Sequence, residues 1–128
     1  MATSVEFSVP FCAGKQRPRM AKSHAYKTQT ETIREEAIAL AFEEAGGVKA
    51  PNGVPVSVAI RAQKKSKASA EKPFIGKPDA DNVAKLVLDA LNGRAWHDDS
   101  QVTRLEIDKL AYTAKVDRIY VTIDWREQ

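Results

Sequence analysis

Apolar residues along this chain change period several times, and each change marks an element. Val5, Phe7 and Val9 alternate with Glu6 and Ser8, the period-two pattern of a half-buried strand, and Pro10 closes it. From residue 28 the period lengthens to that of a helix. Thr28 with Glu31 fits a capping box, Ile33, Ala37, Leu40 and Ala41 share one face, and Gly46-Gly47 ends the element. After a turn at Pro51-Asn52-Gly53, Val54, Val56, Val58 and Ile60 alternate with small or polar residues, and Pro55 marks a strand start or an edge position. A second helix is predicted from Asp81 or Asn82 to Leu91, with Val83, Leu86, Val87, Ala90 and Leu91 on its apolar side and Asn92-Gly93 as its stop. Strands over 102–111 and 118–125 complete the chain, joined by a hairpin loop at 113–117. In the second of them Ile119, Val121, Ile123 and Trp125 alternate with Tyr120, Thr122 and Asp124.

Two stretches keep no period. Gly14 to Lys22 holds Lys15, Arg17, Arg19 and Lys22 and is expected to be a loop whose charge faces water or a ligand. Residues 61–77 hold Arg61, Lys64, Lys65, Lys67, Lys72 and Lys77 against Glu71, and are expected to be a basic loop with a helical turn near Ala68 to Glu71. The order β-α-β-(basic loop)-α-β-β predicts an α+β fold. It forms a single domain over 1–128, with one mixed β-sheet and two main helices packed on it.

Composition narrows the class. A chain of 128 residues, 43% of them hydrophobic, buries about two thirds of its unfolded surface and forms a core without disulfides or structural metal. Cys12 is the only cysteine, so neither an intramolecular disulfide nor a cysteine zinc cluster is available. The sequence has no charged-then-apolar leader and no run of about 18 apolar residues, which predicts a cytoplasmic protein that makes no use of a membrane. The net charge of +3 conceals an asymmetry: residues 1–78 carry 13 Lys/Arg against 7 Glu, and residues 79–128 carry 7 Lys/Arg against 10 acids. All eight aspartates lie in the second part. A basic part and an Asp-rich part suggest a polyanionic partner and a site for a hard cation.

The chemistry concentrates in Lys77-Pro78-Asp79-Ala80-Asp81-Asn82-Val83-Ala84-Lys85, followed by Trp96-His97-Asp98-Asp99. Pro78 imposes an extended approach, so Asp79 and Asp81, two residues apart, point to the same side and can share a ligand. Mg²⁺ takes one or two carboxylates, several waters and substrate phosphate oxygens. Lys85, four residues after Asp81, falls on the same helical face and can hold or polarise a phosphate. The competing reading is structural, because Asp at a helix N-terminus is also a good cap. An EF-hand is excluded, since Val83 and Ala84 would fill its fifth and sixth positions and Ala90 its twelfth. Trp96 and Trp125 read as core residues, Trp96 with the further option of buttressing the acidic loop. Phe74 and Ile75 read as packing residues in preference to a wedge into DNA.

The run 77–93, together with Ala-Trp-x-Asp-Asp-Ser-Gln-Val at 95–102, resembles the signature of RusA-type Holliday junction resolvases. Gly14-Lys15-Gln16-Arg17-Pro18-Arg19 and Tyr26 are similar to the phage and prophage members of that family. The resemblance implies a homodimeric endonuclease that cuts four-way junction DNA with one or two Mg²⁺ ions per subunit, Mn²⁺ being able to substitute, and without an organic cofactor. It implies catalytic roles for Asp79, Asp81, Lys85 and Asp99, with Asp79, Asp81 and Asp99 as metal ligands and Asp98 as a further candidate ligand. Asp89 is expected to pair with Lys85 within the helix or to take a surface role, in preference to binding metal. Arg17, Arg19, Lys22, Lys64, Lys65, Lys67 and Lys77 are expected to contact DNA phosphates. A non-catalytic DNA-binding recombination protein and a metal-dependent nuclease of relaxed structure specificity are the alternatives.

Overall fold

The computed structural model describes residues 2–15, 19–21, 24–26, 29–65, 72–112 and 116–127. Strand β1 (Ala2–Val9) leads through a short segment to β2 (Arg19–Ala21) and β3 (His24–Tyr26), then to α1 (Gln29–Glu44). Strand β4 (Val56–Lys65), the two-residue β5 (Lys72–Pro73), α2 (Ala80–Leu91), β6 (Val102–Tyr112) and β7 (Arg118–Arg126) follow. The main sheet has the order β1-β7-β4-β6-β5, in which β4 and β6 run parallel and the other neighbours antiparallel. Parallel partners need a crossover. Here α2 supplies it between β4 and β6.

One face of the sheet carries the core. Phe7 and Val9 of β1, Val56, Val58, Ile60 and Ala62 of β4, and Ile119, Val121 and Ile123 of β7 join Ile38 and Phe42 of α1 and Val83, Leu86, Val87 and Leu91 of α2 in one buried cluster. Phe7 and Phe42 meet edge to face, with ring centroids 6.1 Å apart. The chain turns tightly past that ring at Gly47, where a Cβ would stand 2.4 Å from a Phe42 ring carbon.

The α+β architecture with a mixed sheet and two helices agrees with the sequence reading, and four local expectations are corrected. The stretch read as a loop over Gly14 to Lys22 contains β2, which pairs with β3 as a separate two-stranded sheet. Arg61, Lys64 and Lys65, expected in a loop, extend β4, because pairing with β7 on one side and β6 on the other carries the strand beyond its apolar part. Helix α1 is rotated from its expected face: Ile33 and Leu40 are 58% and 54% exposed, while Glu31, Ile38, Ala39 and Phe42 are buried. This orientation buries Ile38 and Phe42 in the core and brings Glu31 and Glu35 to a lysine from the preceding segment. Ile75, read as a packing residue, is fully exposed, whereas Phe74 packs on the core. Thr28, the turn at Ala68 to Glu71, and most of the 113–117 loop lie outside the described residues. No helix among the described residues is long and apolar enough to cross a membrane.

Candidate active site

Helix α2 begins at Ala80, one or two residues earlier than predicted, and Asp79 takes the N-cap position in extended conformation at φ −70°, ψ 148°. Its carboxylate makes no cap hydrogen bond. Instead Oδ2 accepts from Lys77 Nζ at 3.0 Å, on an approach that includes a cis peptide between Lys77 and Pro78. Asp81 lies exposed in the first turn, and exposed Lys85 follows it by one turn on the same face. The apolar side of the helix, from Val83 to Leu91, is buried in the core, which fixes the direction in which these charged groups point.

The start of α2 is held by the segment after β1. The Lys15 backbone N–H donates to the Asn82 carbonyl at 2.7 Å. Gly14 permits this approach, because a Cβ there would stand 2.9 Å from Asn82 Cβ and 3.0 Å from Pro78 Cβ. The Lys15 ammonium, with only 11% of its side chain exposed, reaches Asp89 at 2.8 Å, Glu35 at 3.0 Å and Glu31 at 3.9 Å. Burial by itself disfavours the charged form of Lys15. The hydrogen bonds to Asp89 and Glu35 outweigh it, and the net shift of its pKa is upward. Two expectations fail here for one reason: Lys15 faces carboxylates where solvent or ligand was expected, and Asp89 pairs with Lys15 where Lys85 was expected.

The second acidic element follows α2. Trp96 is fully buried, and its indole N–H donates to Asp99 Oδ1 at 2.7 Å. Burial raises the Asp99 pKa, and nearby Asp89 and Asp98 raise it further against the lowering effect of the Trp96 bond. Asp98 does different work. Its Oδ2 accepts from the Ser100 N–H at 2.9 Å and, with Gln101, forms a capping box on the 3₁₀ turn Asp99–Gln101. Those bonds to Ser100 lower its pKa. Gln101, which the sequence reading passed over, is buried and ties this turn to the loop before β4 through the carbonyls of Pro51 and Val54 at 2.9 and 3.1 Å. Its signal was available in the Asp-x-x-Gln spacing of a capping box. His97 is exposed and contributes its backbone N–H to Gln101 at 2.7 Å.

Among the described residues no three His, Cys, Asp or Glu side chains converge closely enough to hold a metal ion. Three of the four acids take a local donor: Lys77 for Asp79, Trp96 for Asp99, Ser100 for Asp98.

The basic residues divide. Lys64 Nζ donates to the Lys77 carbonyl at 3.2 Å and, with Lys77, lines a cleft of about 390 Å³ that Asp79 borders. The backbone N–H of Lys65 is held by Asp117 at 2.7 Å, and Lys109, not singled out from sequence, donates to the Gly76 carbonyl at 2.7 Å and lies over the Phe74 ring. Arg17, Lys22 and Lys67 lie outside the described residues, and of Arg19 only the backbone in β2 is described.

Fold and site together define a small α+β domain whose acidic helix start borders a basic cleft. The family model for endodeoxyribonuclease RusA matches residues 10–124, and the chain belongs to this endodeoxyribonuclease family. It is also 43% identical over 58 residues to the uncharacterized protein YqaN of Bacillus subtilis (strain 168). That match covers 43% of this chain and 41% of YqaN, so the chain aligns with about two fifths of the relative's length.

Proposed function

We propose that this chain is a Mg²⁺-dependent endodeoxyribonuclease that resolves four-way DNA junctions, each subunit of a homodimer hydrolysing one phosphodiester. One observation carries the reading: Asp79 occupies an N-cap, yet its carboxylate is not spent on capping and meets an ammonium beside a basic cleft. An aspartate retained only as a cap would bond the first-turn N–H groups.

The donor chemistry of Asp79 and Asp81 fits a hard cation, being oxygen-only and numbering the one or two carboxylates that Mg²⁺ takes. When bound, Mg²⁺, as one or two ions with Mn²⁺ able to substitute, supplies positive charge against the phosphate oxygens and makes attacking water more acidic. Asp79 and Asp81 would hold the cation, and Asp99 would complete the set by moving toward them, since the three do not converge in this structure. Lys77 already offers Asp79 a cation at 3.0 Å, and its ammonium would be free to turn toward DNA phosphate if Asp79 held a metal ion instead. Lys85, one turn beyond Asp81, stabilises negative charge on the scissile phosphate. Lys64, Lys65 and Lys77, with Arg17, Arg19, Lys22 and Lys67, supply backbone phosphate contacts. A two-fold dimer presents two such sites to a junction that is itself nearly two-fold symmetric.

The test compares a synthetic four-way junction, a fork and a linear duplex, each with Mg²⁺ or with EDTA. Paired symmetric nicks in the junction, dependent on metal, are the expected result. Equal cutting of all three substrates means a nuclease of relaxed specificity, and no metal-dependent cutting of any means a binding protein.

A further inference from the structure

The cleft beside Asp79 contains one cation that no assigned role uses. Arg34 stands on α1 and lines the cleft with Lys64, Lys77 and Asn82. Its neighbours Glu31 and Glu35 are turned onto Lys15, and among the described residues Arg34 has no carboxylate partner. Among the described residues Lys64 bonds a carbonyl and pairs with no carboxylate. Lys15 reaches the same cleft, but its charge is absorbed by three acids. Three cations therefore face one carboxylate, Asp79, across a floor where Gly14 adds no side chain above Asn82.

We propose that Arg34, with Lys64 and Lys77, seats a DNA backbone phosphate adjacent to the one being cut, so that the strand reaches Asp79 along this cleft. The proposal rests on the nuclease reading for the identity of the ligand. The cleft volume of about 390 Å³ exceeds what a lone phosphate needs and suits a sugar–phosphate segment. The planar fork of Arg34 bonds two phosphate oxygens at once, whereas Lys64 and Lys77 act as point charges. The seat thereby fixes the register of the strand and adds no base preference.

The experiment measures dissociation constants for a four-way junction and for a linear duplex in EDTA, at several salt concentrations between about 50 and 200 mM. Wild type, Arg34→Ala, Arg34→Lys and the control Arg104→Ala are compared, and circular dichroism checks that each is folded. Arg104 pairs with Glu106 and is absent from the cleft lining. Arg34→Ala is expected to bind about tenfold more weakly and to lower the salt slope by about 0.9. Arg34→Lys is expected to keep the slope while recovering only part of the affinity. Wild-type affinity and slope for Arg34→Ala, or an equal loss for Arg104→Ala, overturn the seat. A wild type that binds DNA and never cuts it with Mg²⁺ overturns the nuclease reading, while the slopes still decide the seat. A wild type that binds neither DNA overturns both.

Discussion

The indole N–H of Trp96 donates to the carboxylate of Asp99 across 2.7 Å, from a ring that is completely buried. A rigid core side chain thus aims one of the acids assigned to the site. Trp96→Phe keeps most of the ring volume and deletes this donor. Partners of this kind typically contribute about 10- to 100-fold in metal affinity or activity. The variant is expected to lose about tenfold in Mg²⁺ affinity and cleavage rate while unfolding cooperatively at a cost of about 1 kcal/mol. Titration calorimetry with Mg²⁺ and a thermal melt measure the two quantities separately. Unchanged metal affinity contradicts the aiming role.

Lys15 joins three acids from two helices, and its removal takes away the cation they share. Lys15→Gln is expected to cost about 2–3 kcal/mol, below the range for a fully buried pair because Asp89 is 32% exposed. The pH dependence follows from the direction of the shift. The pKa of Lys15 is raised on folding, so its contribution is complete below the ordinary lysine value of about 10.4 and is lost as pH rises through the higher folded value. Urea melts of wild type and variant should therefore differ most at neutral pH and converge in strong alkali. A constant difference across that range contradicts this assignment.

Asp98 and Asp99 are adjacent in sequence and separate in role. Asp98→Ala removes a cap on the 3₁₀ turn and is expected to lower the melting temperature slightly with little loss of cleavage. Asp99→Asn is expected to abolish cleavage at near wild-type stability. Rates on a four-way junction, paired with melting temperatures, separate the two, and a reversed pattern would transfer the catalytic role to Asp98.

What the sequence made legible follows from where each determinant lies. The second helix and the last strand each carry a single apolar period, and both pack into the core as read. The first helix has apolar residues on two sides, Ile33 and Leu40 against Ile38 and Phe42. The second is buried, where Phe42 meets Phe7 and Lys15, from outside the helix, meets Glu31 and Glu35. Asp79, Asp81 and Lys85 were legible because their spacing and the preceding proline place them at a helix start. That Asp79 forgoes its cap bond is a geometric fact no spacing encodes. The close approach at Gly14 and the place of Arg34 in the cleft were not legible for a related reason: both depend on α2 and the basic residues brought to them by folding.

The most direct measurement of the central claim is cleavage of a synthetic four-way junction by Asp81→Asn beside wild type, with binding followed in parallel. The expected result is loss of metal-dependent nicking with junction binding retained or strengthened, because a negative charge facing phosphate has been removed. Undiminished cutting by Asp81→Asn would contradict the assignment of the site to the start of α2.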